Sequence, residues 1–352
     1  MFRRLSLLLL VACGGSHSGT GNGPDAPNGS NTIDAPGGPT VDAAPPMPSH
    51  NVAIIVEPNG QNGQELVNAI KAAHTSVYMT MYQISSTNVI NALVARKQAG
   101  LDVQAILDSS TQSKSFNTSA YNTLNNAGVN VVWSSSAFTY THEKTVMIDG
   151  TSAWIMTMNA NTSSPSSNRE YLALDTDAAD VAEATAIFQK DHALQAVTPT
   201  GPLIVAPTNA RPELVALIDS ATQTLDVEGE EFSDTYSTGV VNAVARAATR
   251  GVTVHVVIAT GNVDATSVNR VKSAGAHVVT TGPTSGNGTA TNPYIHAKAI
   301  VADGARAFVG SENFSGGSLG YNRELGVIFD VATEVSKVKT TIDGDFTKGT
   351  PQ

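Results

Sequence analysis

The sequence contains the same series of seven residues twice, at the same spacing. The first copy is His142, Lys144, Asp149 and Asn159, then Asn168-Arg169-Glu170, and the second is His296, Lys298, Asp303 and Asn313, then Asn322-Arg323-Glu324. Counted from each His, the Lys is at +2, the Asp at +7, the Asn at +17 and the Glu at +28. An isolated His-x-Lys carries almost no information. Seven residues repeated in register indicate an internal duplication, and therefore two units of one fold.

The stretches that precede the two copies also repeat each other. Asn91-Ala-Leu is followed by Gly100-Leu-Asp-Val, and Asn242-Ala-Val is followed at the same distance by Gly251-Val-Thr-Val. Each stretch predicts a helix, a Gly stop and a strand. Strand and helix signals alternate from the run Val52–Val56 onward, so we expect an α/β sandwich in each half. We place the halves at residues 50–198 and 199–352, related by a pseudo-twofold axis.

The N-terminus predicts export. Residues 1–12 contain Arg3 and Arg4 and then a short apolar run, which is typical of a signal peptide. The run ends in Leu-Val-Ala-Cys13-Gly, which resembles the lipobox of bacterial lipoproteins. That resemblance implies lipidation of Cys13 and a membrane anchor in the cell envelope, on the periplasmic or surface face. The alternative is an ordinary signal peptide in which the Cys is incidental.

Composition limits the partners of the chain. Residues 13–49 are rich in Gly, Pro, Ser and Asn, which predicts a disordered tether. The formal charge is −10, so a broad basic face for nucleic acid is disfavoured, although nucleic acid is not excluded as a substrate. Cys13 is the single cysteine, which rules out an intramolecular disulfide and a cysteine-based metal site.

The repeated residue types suit one phosphate between two halves. His142 and Lys144 share one face of a strand, as do His296 and Lys298. The Lys residues offer charge to phosphate oxygens, and Asn159 and Asn313 offer neutral donors. One His attacks phosphorus and the other protonates the leaving oxygen. Glu170 and Glu324 orient the imidazoles.

The same chemistry needs neither a metal nor a cofactor, because Lys and imidazolium already balance the phosphate charge. A zinc site made of His142, Glu170 and His296 is disfavoured, since two neighbouring Lys residues would repel a dication.

Both copies resemble the double His-x-Lys-x4-Asp signature of the phospholipase D superfamily, over roughly Asn51 to Asp343. The resemblance implies a site at the interface of two α/β halves and a phosphohistidine intermediate. It also implies that His142 is the nucleophile and His296 the general acid. It further implies that Asp149 and Asp303 are structural residues.

The two copies differ in two residues that lie shortly before the Asn at +17. Gly310-Ser311 precedes Asn313, whereas Met156-Thr157 precedes Asn159. We expect Ser311 and Thr157 to contact the substrate, and the bulk of Met156 to tighten or shift the first phosphate-facing loop.

An acidic group follows one strand of the second half, and we read it as a solvated strand end or as a site for a polar headgroup: Glu228, Glu230, Glu231 and Asp234. The Gly-rich segment 281–291 predicts a mobile loop over the site.

The predicted function is hydrolysis of a phospholipid headgroup to phosphatidic acid and an alcohol, by a monomer with an internal pseudo-dimer. A nuclease on the same scaffold is one alternative, although the loops 109–119 and 281–294 hold a single cation, Lys114. A phosphate-binding module without turnover is the other alternative, motivated by Met156.

Overall fold

The computed structural model describes Ser49, residues 51–286 and residues 288–352. The predicted signal peptide, Cys13 and the predicted tether up to residue 48 lie outside the described residues. Ser49, the last residue of that tether, already belongs to the folded part: it is buried, and its N–H donates to the carbonyl of Ile328 at 2.9 Å. Among the described residues, no helix is long and apolar enough to cross a membrane.

Strands and helices alternate through the first half, as the sequence predicts. In chain order the elements are β1 (Val52–Glu57), α1 (Gln64–Ala72), β2 (Ser76–Met81), α2 (Thr87–Gln98), β3 (Asp102–Leu107), α3 (Lys114–Asn126), β4 (Asn130–Trp133), β5 (Lys144–Ile148), β6 (Ser152–Met156), α4 (Ser164–Ser167), β7 (Asn168–Asp175) and α5 (Ala178–His192). The strand that we expected to carry both His142 and Lys144 begins only at Lys144. Residues 141–143 bond across to the second half instead.

The second half repeats this order. Its elements are β8 (Ile204–Ala206), α6 (Ala210–Asp219), β9 (Thr224–Gly229), α7 (Val240–Thr249), β10 (Thr253–Ala259), α8 (Ala265–Ser273), β11 (His277–Thr281), β12 (Tyr294–Ile295), β13 (Lys298–Ala302), β14 (Arg306–Gly310), α9 (Gly316–Tyr321), β15 (Glu324–Phe329), α10 (Ala332–Lys348) and β16 (Thr350–Pro351). The short elements α4, α9, β12 and β16 were not predicted, because two to six residues are too few to show a hydrophobic period.

Each half forms one mixed sheet, and the two sheets have the same strand order. The first runs β1-β7-β6-β5-β2-β3-β4, and the second runs β8-β15-β14-β13-β9-β10-β11 with β16 added at the edge. The strands β2, β3 and β4 are mutually parallel, as are β9, β10 and β11. The predicted class, two similar α/β halves, is confirmed.

The sheets pack face to face between outer layers of helices. In β13, Ala299 and Val301 face the core between the sheets, whereas Ile300 and Ala302 face the core under α6 and α7. A strand buried on both faces needs a continuous apolar run, which is why β13 shows no polar alternation. The helices α1, α2 and α3 cover the first sheet in the same way, and α5 and α10 pack on the inner faces.

Asp149 and Asp303 hold the hairpins that follow β5 and β13. Both residues have a left-handed backbone, with φ of 57° and 56°. The Asp149 carboxylate accepts from the backbone N–H groups of residues 74–76 and from the Thr75 hydroxyl. Asp303 does the same for residues 222–224. Each Asp thus ties its hairpin to the start of the neighbouring strand, which fits the predicted structural role.

We expect Asp303→Asn to lower the free energy of unfolding by about 1 kcal/mol. A neutral amide oxygen then accepts the hydrogen bonds that the charged carboxylate accepts in the wild type, on a partly exposed turn. Asn tolerates the left-handed backbone, so the change isolates the charge. Burial opposes ionisation of Asp303, but the N–H donors prevail and lower its pKa to about 2. The wild-type advantage is therefore full above the unfolded value near 3.8 and is lost as the pH falls through 2. Urea unfolding at several pH values measures it; equal stability of both proteins at pH 6 would contradict the assignment.

Candidate active site

Each His lies where one half pairs with the other. The N–H of His142 donates to the carbonyl of Arg323 at 2.9 Å, and that of His296 donates to the carbonyl of Arg169 at 3.3 Å. Thr141 forms a bridge with Arg323, and β12 pairs in parallel with the start of β7. The segment before each His is therefore fixed to the Asn-Arg-Glu run of the opposite half.

This crossing places each Glu beside the His of the other half. His142 Nδ1 lies 2.9 Å from Glu324 Oε2, and His296 Nδ1 lies 2.9 Å from Glu170 Oε1. A carboxylate only accepts, so each Nδ1 carries the hydrogen and each Nε2 is directed away from its Glu. The sequence predicts that Glu orients His, but it does not reveal that the pairing crosses between the halves.

Hydrogen-bond donors on the same half hold each Glu in place. Thr157 Oγ1 donates to Glu170 at 2.5 Å, and Asn168 Nδ2 donates to it at 3.0 Å. Ser318 Oγ donates to Glu324 at 2.6 Å, and Asn322 Nδ2 donates to it at 3.0 Å. The Asn of each Asn-Arg-Glu run therefore holds the Glu two positions after it.

The structure corrects the prediction that Thr157 and Ser311 contact the substrate. Both residues are fully buried. Thr157 Oγ1 also accepts from the N–H of Tyr171, and Ser311 Oγ accepts from the N–H of Leu325. These hydroxyls support the strands that carry the Glu residues, because their positions at the ends of β6 and β14 lie behind the site.

The two Lys residues are fully buried beside the His residues. Each ammonium donates to the carbonyl of the His two positions before it. A buried ammonium needs a charge or several acceptors near it, so a partly paired Lys is a ready binding group for an anion. The side chains of Asn159 and Asn313 are 7% exposed, and among the described residues their Oδ1 atoms have no hydrogen-bond partner.

Arg169 and Arg323 stabilise the pairing between the two halves. Arg169 donates from Nε to Asp345 Oδ2 at 2.5 Å and from Nη1 to the carbonyl of Glu57. Arg323 donates from Nη1 to the carbonyl of Ala206 and lies 2.8 Å from Asp191. Both are buried, so the middle residue of each Asn-Arg-Glu run is structural.

The acidic group after β9 is not a solvated strand end, so that interpretation is wrong. Glu228 accepts from the Tyr171 hydroxyl at 2.7 Å, and Asp234 pairs with Arg211 at 3.1 Å; both carboxylates are fully buried. Glu230 lies in the site itself, with Oε2 2.9 Å from Lys298 Nζ and 3.4 Å from His296 Nε2. The sequence signal was its position one residue past β9, the strand that pairs with β13.

Met156 does not narrow the site, contrary to the expectation from sequence. Its side chain packs in the outer core of the first half with Leu172. The Gly at the equivalent position, Gly310, is required for a different reason: a Cβ there would lie 2.2 Å from Glu312 Oε2. The first half has Met158 in place of Glu312, so it has no such requirement.

Electrostatics makes the two His residues unequal. Burial, together with the charges of Lys144 and Lys298, lowers the pKa of His142 to about 4 despite Glu324. Its Nε2 therefore keeps a lone pair at neutral pH. His296 faces carboxylates from both nitrogens, Glu170 on Nδ1 and Glu230 on Nε2. Each carboxylate oxygen can accept a hydrogen bond from the ring nitrogen that it faces.

Burial also lowers the pKa of Lys144 to about 7, with Lys298 adding to the effect and Glu324 opposing it. The two His–Glu contacts between the halves bring both copies of the pattern to one place. The predicted loop 281–291 lies next to the first half, where a Cβ on Gly288 would meet the carbonyl of Ser167.

Comparisons with known proteins agree with this geometry. A family model described as "Cardiolipin synthase, PLD-like domain" matches residues 66–192 and again residues 214–346. The chain belongs to the phospholipase D superfamily. Membership supports a phosphodiesterase or phospholipid-modifying activity. A comparison with curated protein sequences found no match.

Two solved structures share the fold at low identity. Polyphosphate kinase from Porphyromonas gingivalis has a TM-score of 0.66 at 15% identity, over 84% of this chain and 47% of the kinase. This chain thus spans about half the length of that enzyme. Phosphatidylserine synthase from Haemophilus influenzae Rd KW20 has a TM-score of 0.63 at 11% identity, over 89% of this chain and 90% of the synthase.

We expect sulfate to bind the site more weakly as the pH rises, because Lys144 loses its proton near pH 7 while sulfate keeps its charge. The affinity should fall roughly tenfold from pH 6 to pH 8, the change in the charged fraction of a group with this pKa. Calorimetric titration measures it. Lys144→Met is the control, and it should bind weakly at both pH values; a wild-type affinity that is constant over this range would contradict the assignment.

Proposed function

We propose that the protein is a phospholipase D-type phosphodiesterase that hydrolyses a phospholipid headgroup through a phosphohistidine on His142. The observation that carries the proposal is the pair of His residues, each oriented by a Glu of the opposite half, beside two buried Lys residues. Family membership supports the same class of reaction.

The first step forms a phosphorus–nitrogen bond and breaks a phosphorus–oxygen bond. Nε2 of neutral His142 attacks phosphorus, and the departing alcohol oxygen takes the proton from Nε2 of His296. Lys144 and Lys298 offset the charge on the non-bridging oxygens, and Asn159 and Asn313 offer amide N–H groups to them. The hydrogen bond from Nδ1 of His142 to Glu324 stabilises the positive charge that develops on that ring.

The second step reverses the roles. Nε2 of His296, now neutral, accepts a proton from water as the water attacks phosphorus, and the bond to His142 breaks. The products are phosphatidic acid and the free alcohol. An alcohol in place of water would give a new phosphodiester, the transfer that the description of the matching family model suggests.

Trapping the intermediate tests the mechanism. We expect His296→Ala to release about one equivalent of 4-nitrophenol from bis(4-nitrophenyl) phosphate and then stall, because this leaving group departs without a proton but water is no longer activated. Mass spectrometry should locate the phosphoryl group on His142. His142→Ala should release none. A burst in His142→Ala as well would contradict His142 as the nucleophile. No release by the wild type or by either variant would favour a phosphate-binding module without turnover.

A substrate panel in the presence of EDTA tests the substrate class. We expect the wild type to release headgroups from phosphatidylethanolamine or phosphatidylcholine, and His142→Ala to lose at least about 1000-fold in rate. Phosphatidylalcohol formation in added ethanol measures transfer against hydrolysis. Degradation of single-stranded DNA without any headgroup release would instead identify a nuclease.

We further propose that the protein is exported and anchored in the cell envelope through a lipid on Cys13. The order of the segments supports it: a basic start, an apolar run and then the Cys. In a bacterial host, Cys13→Ser should move the protein from the membrane fraction to the soluble fraction and abolish palmitate labelling. Membrane association equal to that of the wild type would contradict the anchor.

A further inference from the structure

The two halves differ at a position inside the active site that lies beside each His. Met81 pairs with Lys144, and the next residue, Tyr82, donates its N–H to the carbonyl of Glu143 at 3.1 Å. In the second half Gly229 pairs with Lys298, and Glu230 donates its N–H to the carbonyl of Ala297 at 3.0 Å. Tyr82 and Glu230 are therefore equivalent positions, each one residue past its strand, with different side chains.

These side chains treat the two His residues differently. The Tyr82 ring lies edge-on to the His142 ring at 4.5 Å between centroids, and Lys144 Nζ lies 5.0 Å from the ring centroid. The Tyr82 ring thus gives His142, the proposed nucleophile, a weakly polar neighbour. Glu230 instead sets a carboxylate at Nε2 of His296, the nitrogen that exchanges a proton with the alcohol.

Glu230 is held in place by groups other than the His. Its Oε2 lies 2.9 Å from Lys298 Nζ, and its Oε1 accepts from the Tyr294 hydroxyl at 3.0 Å. Asn262 Nδ2 donates to the same hydroxyl at 3.1 Å. The side chain is 7% exposed, so one edge remains open to a ligand. Burial opposes its charge, but His296 and Lys298 keep the pKa of Glu230 below its ordinary value. The group is an anion that only accepts hydrogen bonds.

A bound phosphate changes the surroundings of this anion. The phosphate oxygens compete for Lys298, and the alcohol oxygen must lie within about 3 Å of His296 Nε2 for the proton to transfer. Glu230 Oε2 is 3.4 Å from the same nitrogen, so the carboxylate lies beside the alcohol oxygen. It then shares the Lys298 ammonium with the phosphate oxygens. An anion buried next to a phosphate is costly unless a donor on the ligand meets it.

We propose that Glu230 accepts a hydrogen bond from a hydroxyl or ammonium group of the alcohol part of the substrate, close to the ester oxygen. The enzyme then prefers headgroups of the ethanolamine or glycerol type, which carry such a donor, over choline, whose methylated nitrogen has none. This inference rests on the function proposed above and names its substrate class.

Phosphatidylethanolamine and phosphatidylcholine form a matched pair for the test, because they differ only in three N-methyl groups. In the same mixed detergent micelles, we expect the wild-type kcat/KM to favour phosphatidylethanolamine by about tenfold or more, the scale of one hydrogen bond to a charged group. Glu230→Gln should reduce the ratio to within about twofold, and Glu230→Asp should retain part of it. The ratio is its own control, since any general loss through His296 acts on both lipids. A ratio that Glu230→Gln leaves unchanged overturns the proposal.

A binding measurement separates this proposal from the proposed function. Calorimetry compares O-phosphoethanolamine with phosphocholine, which bind without turnover. We expect the wild type to bind O-phosphoethanolamine more tightly by about tenfold, and Glu230→Gln to lose the difference. If neither lipid is cleaved but this preference is present, the proposed function fails and the role of Glu230 stands. Equal affinities in the wild type overturn the role of Glu230 whatever the lipids show. Circular dichroism verifies that both variants fold.

Discussion

Two hydrogen-bonded His–Glu pairs, each joining one half to the other, organise this molecule. Glu324 reaches His142, and Glu170 reaches His296, each at 2.9 Å and each with a fully buried carboxylate. Removing one partner leaves a buried polar group without its hydrogen bond, which typically costs about 1–3 kcal/mol. The halves therefore depend on each other in both packing and chemistry. Neither half orients its own His, so the duplication makes a single site out of two incomplete ones.

The residues around these pairs explain why the repeat is so long. The Asn of each Asn-Arg-Glu run holds the Glu, and the Arg fixes the run to a helix of the opposite half, Arg169 to Asp345 and Arg323 to Asp191. The Asp at +7 closes the hairpin behind the His-x-Lys strand. Most of the repeated residues are therefore structural supports. Those that remain free to meet a phosphate are few: two His, two Lys and two Asn.

The site departs from symmetry where chemistry requires it. A phosphodiesterase that works through a covalent His needs one imidazole with a lone pair and one with a proton to give. Tyr82 and Glu230 occupy equivalent positions yet place an aromatic ring beside His142 and a carboxylate beside His296. Burial among Lys residues keeps His142 neutral. The second departure, Met156 in place of Gly310, follows from the neighbouring Glu312 and leaves the site unchanged.

The sequence by itself determined the duplication, the alternating strands and helices, and the set of residues that meet, because register and hydrophobic period are written along the chain. Family membership followed from the same pattern. Tertiary structure decided what depends on contacts between distant segments: that each Glu serves the opposite His, that Thr157 and Ser311 lie behind the site, and that Glu230 lies within it. One-dimensional spacing gives the order of side chains but not which half a side chain reaches, since that follows from how two sheets pack.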